Sequence, residues 1–96
     1  MDEIKFIKDY LDRYNKSLFE IDISEKILKM KNLLLDVKKN NKKVIVAGNG
    51  GSAAMASHIA VDFTKQGKIR TINFNEADLI TCFANDYGYE NWIEKA

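Results

Sequence analysis

Lys43-Val44-Ile45-Val46-Ala47-Gly48-Asn49-Gly50-Gly51-Ser52-Ala53-Ala54 runs from apolar, β-branched residues through a glycine-rich turn into a helical pattern. An apolar run without alternation marks a strand covered on both faces, as in a parallel sheet. The glycines let the chain turn tightly and let a ligand approach the backbone closely. A strand that ends in such a turn and opens into a helix delivers backbone N–H groups to an anion. Ser52 is expected to cap the helix, with its hydroxyl in reach of a bound oxyanion. The turn reads as the seat of an anionic small molecule. A tight turn without a ligand is the bland alternative, and the adjacent glycines after a buried strand weigh against it.

Outward from this turn the periodicity predicts the other elements. A first helix spans residue 2 to about 20, with Ile4, Ile7, Leu11, Tyr14 and Leu18 on one side. Ser24 is the expected N-cap of a second helix with Glu25 in its first turn. That helix carries Ile27, Met30, Leu34 and Val37, widened by Leu28, Leu33 and Leu35, and ends at Asn40-Asn41. So wide a stripe calls for an oligomer interface or a larger core. The third helix is predicted from Ser52 to about Gln66, with Gly67 as its left-handed terminator. Its inward face is Ala53, Ala56, Ile59, Ala60 and Phe63. A second strand is expected from residue 69 to 74, then Asn75 capping a fourth helix from Glu76 to about Ala84, with Leu79, Ile80 and Phe83 inward. Asn85-Asp86-Tyr87-Gly88-Tyr89 reads as a turn, and helix resumes at Glu90.

The order is α-α-β-α-β-α-(α), and two strands joined by a helix make a right-handed parallel βαβ unit. Two strands alone are a poor sheet, and residues 92–96 still read as helix. The chain is therefore expected to be the first half of a larger α/β domain, a fragment or a truncated product. Residues 1–42 form N-terminal helices and residues 43–96 the start of the α/β core.

Bulk properties exclude several classes. Ninety-six residues bound the chain to one small domain, and a net charge of +1 predicts no strong field toward nucleic acid. Lys38, Lys39, Lys42 and Lys43 read as a solvated helix end favoured by the dipole. The single cysteine, Cys82, excludes an internal disulfide, fits a reducing compartment and is expected to be a buried, inert thiol. No apolar run approaches the ~20 residues that span a bilayer. Met1-Asp2-Glu3 lacks a signal-peptide pattern. The expected location is the cytoplasm, with neither membrane nor nucleic acid as partner.

The turn at 48–52 has two ligand readings. One is a cradle for a phosphosugar. The other is a dinucleotide fingerprint, since Gly48-x-Gly50-x-x-Ala53 fits the looser G-x-G-x-x-A form. The latter needs an acidic residue about 20 positions on; Asn75 and Glu76 lie beyond that, and Glu76 reads as a first-turn helix residue. Two helices before the first strand also disfavour it. His58 and Asp62, four apart on the third helix, share one side. They can ligate a metal or move a proton on a sugar, or they form an ordinary exposed pair. The polar turn with Asn85 and Asp86 lies near the ligand end only if the chain returns there; otherwise it is a simple helix terminus with a turn.

Taken together, Ala-Gly-Asn-Gly-Gly-Ser at 47–52, His58, and Asn-Asp-Tyr-Gly-Tyr-Glu-Asn at 85–91 resemble the sugar isomerase (SIS) domain, and within it the phosphoheptose isomerases. The resemblance covers essentially the whole chain. It implies the N-terminal half of a doubly wound, flavodoxin-like domain with a parallel sheet, preceded by two helices. It implies interconversion of sedoheptulose 7-phosphate and D-glycero-D-manno-heptose 7-phosphate, on the way to lipopolysaccharide or capsule heptose. It further implies a homotetramer with active sites between subunits, often with zinc. Asn49, Gly50 and Gly51 match substrate-binding positions, with Ser52 beside them, and so do Asn85 and Asp86. His58 matches a metal position. Asp62 stands where the family has a glutamate serving as catalytic base and metal ligand, one methylene longer. The family's serine-rich phosphate loop and its late Gln/His helix would lie beyond residue 96. A non-catalytic phosphosugar-binding module of the same fold is the competing expectation.

Overall fold

The computed structural model describes all 96 residues. They divide into two compact units, Met1–Lys31 and Asn32–Ala96.

The first unit holds α1 (Glu3–Leu18) and the opening turns of α2 (Ser24–Lys39). Asp2 caps α1 by accepting the Lys5 N–H at 3.0 Å, while Glu3 and Lys16 suit opposite ends of its dipole. Ser24 is the first residue of α2 and not its side-chain cap. Its N–H donates to Asp22 Oδ1 at 2.9 Å, so a carboxylate two residues upstream takes the orphan donor. Neither helix contains a buried residue, and the apolar stripe of α1 faces solvent, with Ile4 at 67% and Leu11 at 59% exposure.

In the second unit α2 ends as the sequence predicts. Asn41 takes a positive φ of 53°, its N–H reaches Lys38 O, and the Lys42 N–H reaches Val37 O. This paired closure is the Schellman arrangement, in which asparagine tolerates the left-handed position. Next come β1 (Val44–Ile45), α3 (Gly51–Lys65), β2 (Thr71–Ile72), α4 (Ala77–Tyr87), a 3-10 turn (Tyr89–Asn91) and α5 (Trp92–Lys95). The strands are parallel, with Val44 opposite Thr71 and Ile45 opposite Ile72. This is a mixed α/β architecture with a two-stranded parallel sheet. The buried residues are Ala56 on α3, Ile69 just before β2 and Trp92 opening α5.

Several boundaries differ from expectation. Each strand is two residues long, because side chains replace the backbone ladder at its C-terminal end. The Val46 N–H still reaches Ile72 O at 3.0 Å, but Val46 O is taken by Asn73 Nδ2 at 2.7 Å. Gly67 is not the left-handed residue after α3; Lys68 is, at φ 54°. Glycine is required at 67 for space, since a Cβ there would lie 2.8 Å from Phe63 O. Asn75 does not cap α4. Glu76 does, accepting the Leu79 N–H at 3.1 Å. Asn85 and Asp86 lie inside α4, not in a turn, and the chain breaks direction at Gly88, φ 90°. On α3, Ala53, Ala60 and Phe63 are half-buried, while Ile59 stays 39% exposed. Cys82 is exposed, its thiol 3.7 Å from Asp86 Oδ2, because it lies on the side of α4 away from Leu79, Ile80 and Phe83.

Candidate functional site

The turn after β1 is shaped by three glycines with three different tasks. Gly48 provides close approach: a Cβ there would meet Ser52 O at 2.5 Å and Ser52 C at 2.6 Å. Gly50 provides conformation, with φ 57° and ψ −126°, a region that side-chain-bearing residues rarely enter. Gly51 opens α3, and a Cβ built on it meets nothing within 4 Å. Gly50, not Ser52, is the N-cap of α3; Ser52 is already helical and donates its N–H to Asn49 O at 3.0 Å. The serine hydroxyl is thus freed from capping duty and remains on the exposed first turn.

Two asparagines after β2 hold this turn in place. The Asn75 carboxamide accepts the Gly48 N–H at 3.2 Å and donates from Nδ2 to Gly48 O. It does for Gly48 what a neighbouring strand would do, in both directions. Asn73 Oδ1 in turn accepts the Asn75 N–H at 2.9 Å and the Ser57 hydroxyl at 3.3 Å, tying the clamp to α3. A third tether comes from α5. The indole Nε1 of Trp92, 1% exposed, donates to Asn49 Oδ1 at 2.9 Å. The chain returns to the turn at Trp92, not at Asn85 and Asp86.

His58 and Asp62 share one side of α3 as expected, Nε2 to Oδ2 3.6 Å, with side chains 75% and 49% exposed. An exposed pair of this kind contributes little to stability. His58 lies six residues from Ser52, about 9 Å along the helix. Asn85 and Asp86 are exposed on the last turn of α4, where Asn85 Nδ2 donates to Asp86 Oδ1 at 3.2 Å; no hydrogen bond links them to the glycine turn. Sequence reasoning missed Asn73, Asn75 as a clamp, and Trp92. The available signal was two amides placed directly after a β-branched strand, and a lone tryptophan in a polar C-terminal segment.

The curated proteins that match this chain include the "Phosphoheptose isomerase" of Geotalea uraniireducens, 34% identical over 88% of this chain and 49% of that protein. The "Phosphoheptose isomerase 2" of Campylobacter jejuni is 37% identical over 84% of this chain and 49% of its own length. A Helicobacter pylori "Phosphoheptose isomerase" is 35% identical over 71% and 38%. Over the span it covers, the chain belongs with the phosphoheptose isomerases. It spans about half the length of the curated relatives it matches. No family model matches it, and no solved structure does.

In this phosphoheptose-isomerase-like chain, His58 and Asp62 are chemically suited to zinc, an imidazole and a carboxylate. They supply two donors, and no group of three or more His, Cys, Asp or Glu side chains converges anywhere in the chain. A zinc site with three or four protein ligands is not completed by these residues alone. No helix is long and apolar enough to cross a membrane.

Proposed function

We propose that this chain is the N-terminal half of a doubly wound SIS-type domain whose whole protein isomerises a seven-carbon ketose phosphate. The favoured reaction is sedoheptulose 7-phosphate to D-glycero-D-manno-heptose 7-phosphate, serving heptose supply for lipopolysaccharide or capsule. The observation that carries the reading is the match of 84–92% of the chain to curated phosphoheptose isomerases at 33–37% identity. The glycine turn supports it, being open at Gly51 and rigidly held at Gly48 and Asn49.

In this reading Asn49, Gly50, Gly51 and Ser52 bind the substrate, with Asn85 and Asp86 completing the contacts. The Asp62 carboxylate is the base. It takes a proton from C1 of the ketose as a C1–C2 double bond forms and the C2 oxygen gains a proton from an acid. The resulting enediol then receives the proton at C2 while the C1 oxygen loses its own, leaving the aldose. Aspartate in place of glutamate shortens the reach by one methylene, and a misplacement of ~1 Å at such a group can cost on the order of 100-fold in rate. Zinc enters this reading as a half-site of His58 and Asp62, with the remaining donors from outside residues 1–96. The uncovered apolar faces of α1 and α2 support a homo-oligomer, a tetramer in this reading, and the location proposed is the cytoplasm.

The test is conversion of sedoheptulose 7-phosphate by the full natural chain in deuterated water, with and without added zinc. Turnover with deuterium at C2, abolished by Asp62→Asn, is the expected result. Tight binding of the sugar phosphate without turnover would instead establish the binding-module reading.

A further inference from the structure

We infer that Trp92 is a positioning residue that fixes which end of the Asn49 carboxamide meets the ligand. A carboxamide presents an acceptor oxygen and a donor NH2, and the two are interchanged by a half-turn of the terminal torsion. Tryptophan removes that ambiguity, because its indole nitrogen donates only. The Nε1–H of Trp92 lies 2.9 Å from Asn49 Oδ1, and Trp92 is 1% exposed, so the indole has no water to turn to. Flipping the amide would set two donors against each other and leave the indole N–H unpaired in the interior. Asn49 is itself exposed, with its oxygen held inward and its Nδ2 hydrogens without a protein partner. The turn therefore offers donors: an NH2 group matched to hydroxyl, carbonyl or phosphate oxygens and mismatched to a ligand N–H.

The rest of the arrangement fits a device for rigidity. Asn49 follows Gly48, clamped by Asn75, and precedes Gly50, at φ 57°, where the absence of a Cβ leaves the main chain otherwise permissive. Trp92 sits 43 positions away in sequence, so the tether couples the closing helix of the chain to the ligand turn. This inference rests on the reading that Asn49 contacts the sugar phosphate, and it adds how that contact is oriented.

The experiment is a double-mutant cycle in the full natural chain, with sedoheptulose 7-phosphate as probe and KM, kcat and thermal midpoint as readouts. Trp92→Phe deletes the indole donor and keeps an aromatic ring. The expected result is a KM raised about 3- to 10-fold, as one net hydrogen bond warrants, with kcat changed less than about 2-fold. In an Asn49→Ala background the same substitution has no further effect on KM. A merely structural role would raise KM equally in both backgrounds, whatever the shift in thermal midpoint that shrinking a buried ring brings, and that equality overturns the inference. If Asn49→Ala raises KM and Trp92→Phe does not, the inference fails while the functional reading stands. If Asn49→Ala leaves KM unchanged, the substrate contact given to Asn49 fails and takes this inference with it; if the wild type neither binds nor converts the probe, the functional reading fails as well.

Discussion

Replacing Gly48 by alanine tests the packing of the ligand turn most directly. The new Cβ would lie 2.5 Å from Ser52 O, 2.6 Å from Ser52 C and 2.9 Å from Ser52 Cβ. Two of these are main-chain atoms of α3, so no rotamer change can relieve the overlap. To reach ordinary contact near 3.4 Å the helix must retreat by about 0.9 Å. Overpacking of that kind costs ~1–3 kcal/mol, against ~5–15 kcal/mol for a whole domain. The retreat also strains the paired hydrogen bonds between Gly48 and Asn75. Gly51→Ala is the matched control: its Cβ meets nothing within 4 Å and it lies in the helix, so stability is expected unchanged or raised by ~0.4–1 kcal/mol. Urea unfolding followed by far-UV circular dichroism reads both. Equal stability of Gly48→Ala and wild type would refute the described approach of the turn to α3. Gly51→Ala carries a second readout, since a methyl group in the open space above α3 should weaken sugar-phosphate binding at unchanged stability.

Asn75→Ala should cost ~1–3 kcal/mol by stripping both partners from the half-buried Gly48 backbone, and hydrogen exchange at the Gly48 amide should accelerate more than at Val44. Asp62→Asn should abolish turnover with little loss of stability, because Asp62 is half-exposed and its one side-chain partner is His58; a thermal shift assay beside the kinetic one checks this. Hydrogen bonding from Ser24, side chain first and backbone N–H second, holds the Asp22 carboxyl below its usual value. A depressed folded value means the stabilisation of the α2 N-terminus is present above the ordinary carboxylate range and lost as pH falls through the depressed value. Asp22→Ala should therefore remove the acid-side change in α2 amide protection seen by NMR.

Local chemistry carried much of this structure openly. The 3.6-residue spacing placed α1, α2, α3 and α4 within a few residues of where they lie, and Asn41 ends α2 as a left-handed asparagine should. The β-branched run before Gly48 announced β1, and the i, i+4 spacing put His58 beside Asp62. These features depend on neighbours in the chain, whose influence a sequence displays directly. Helix caps were less legible, because Ser24, Ser52 and Asn75 all have capping chemistry and each was displaced by a competitor. Asp22 serves the α2 start, Gly50 takes the strained entry to α3, and Glu76 caps α4 once Asn75 is engaged elsewhere.

By itself the sequence determined the α/β order, the position of the glycine turn and the family resemblance that the relatives bear out. Only the tertiary structure decided that the sheet ladder passes to the carboxamides of Asn73 and Asn75, and that the one tryptophan closes on Asn49. An amide side chain has the same donors and acceptors wherever it stands. Which backbone it pairs with is set by parallel strands 27 residues apart, and by a helix 43 residues on, meeting at one turn.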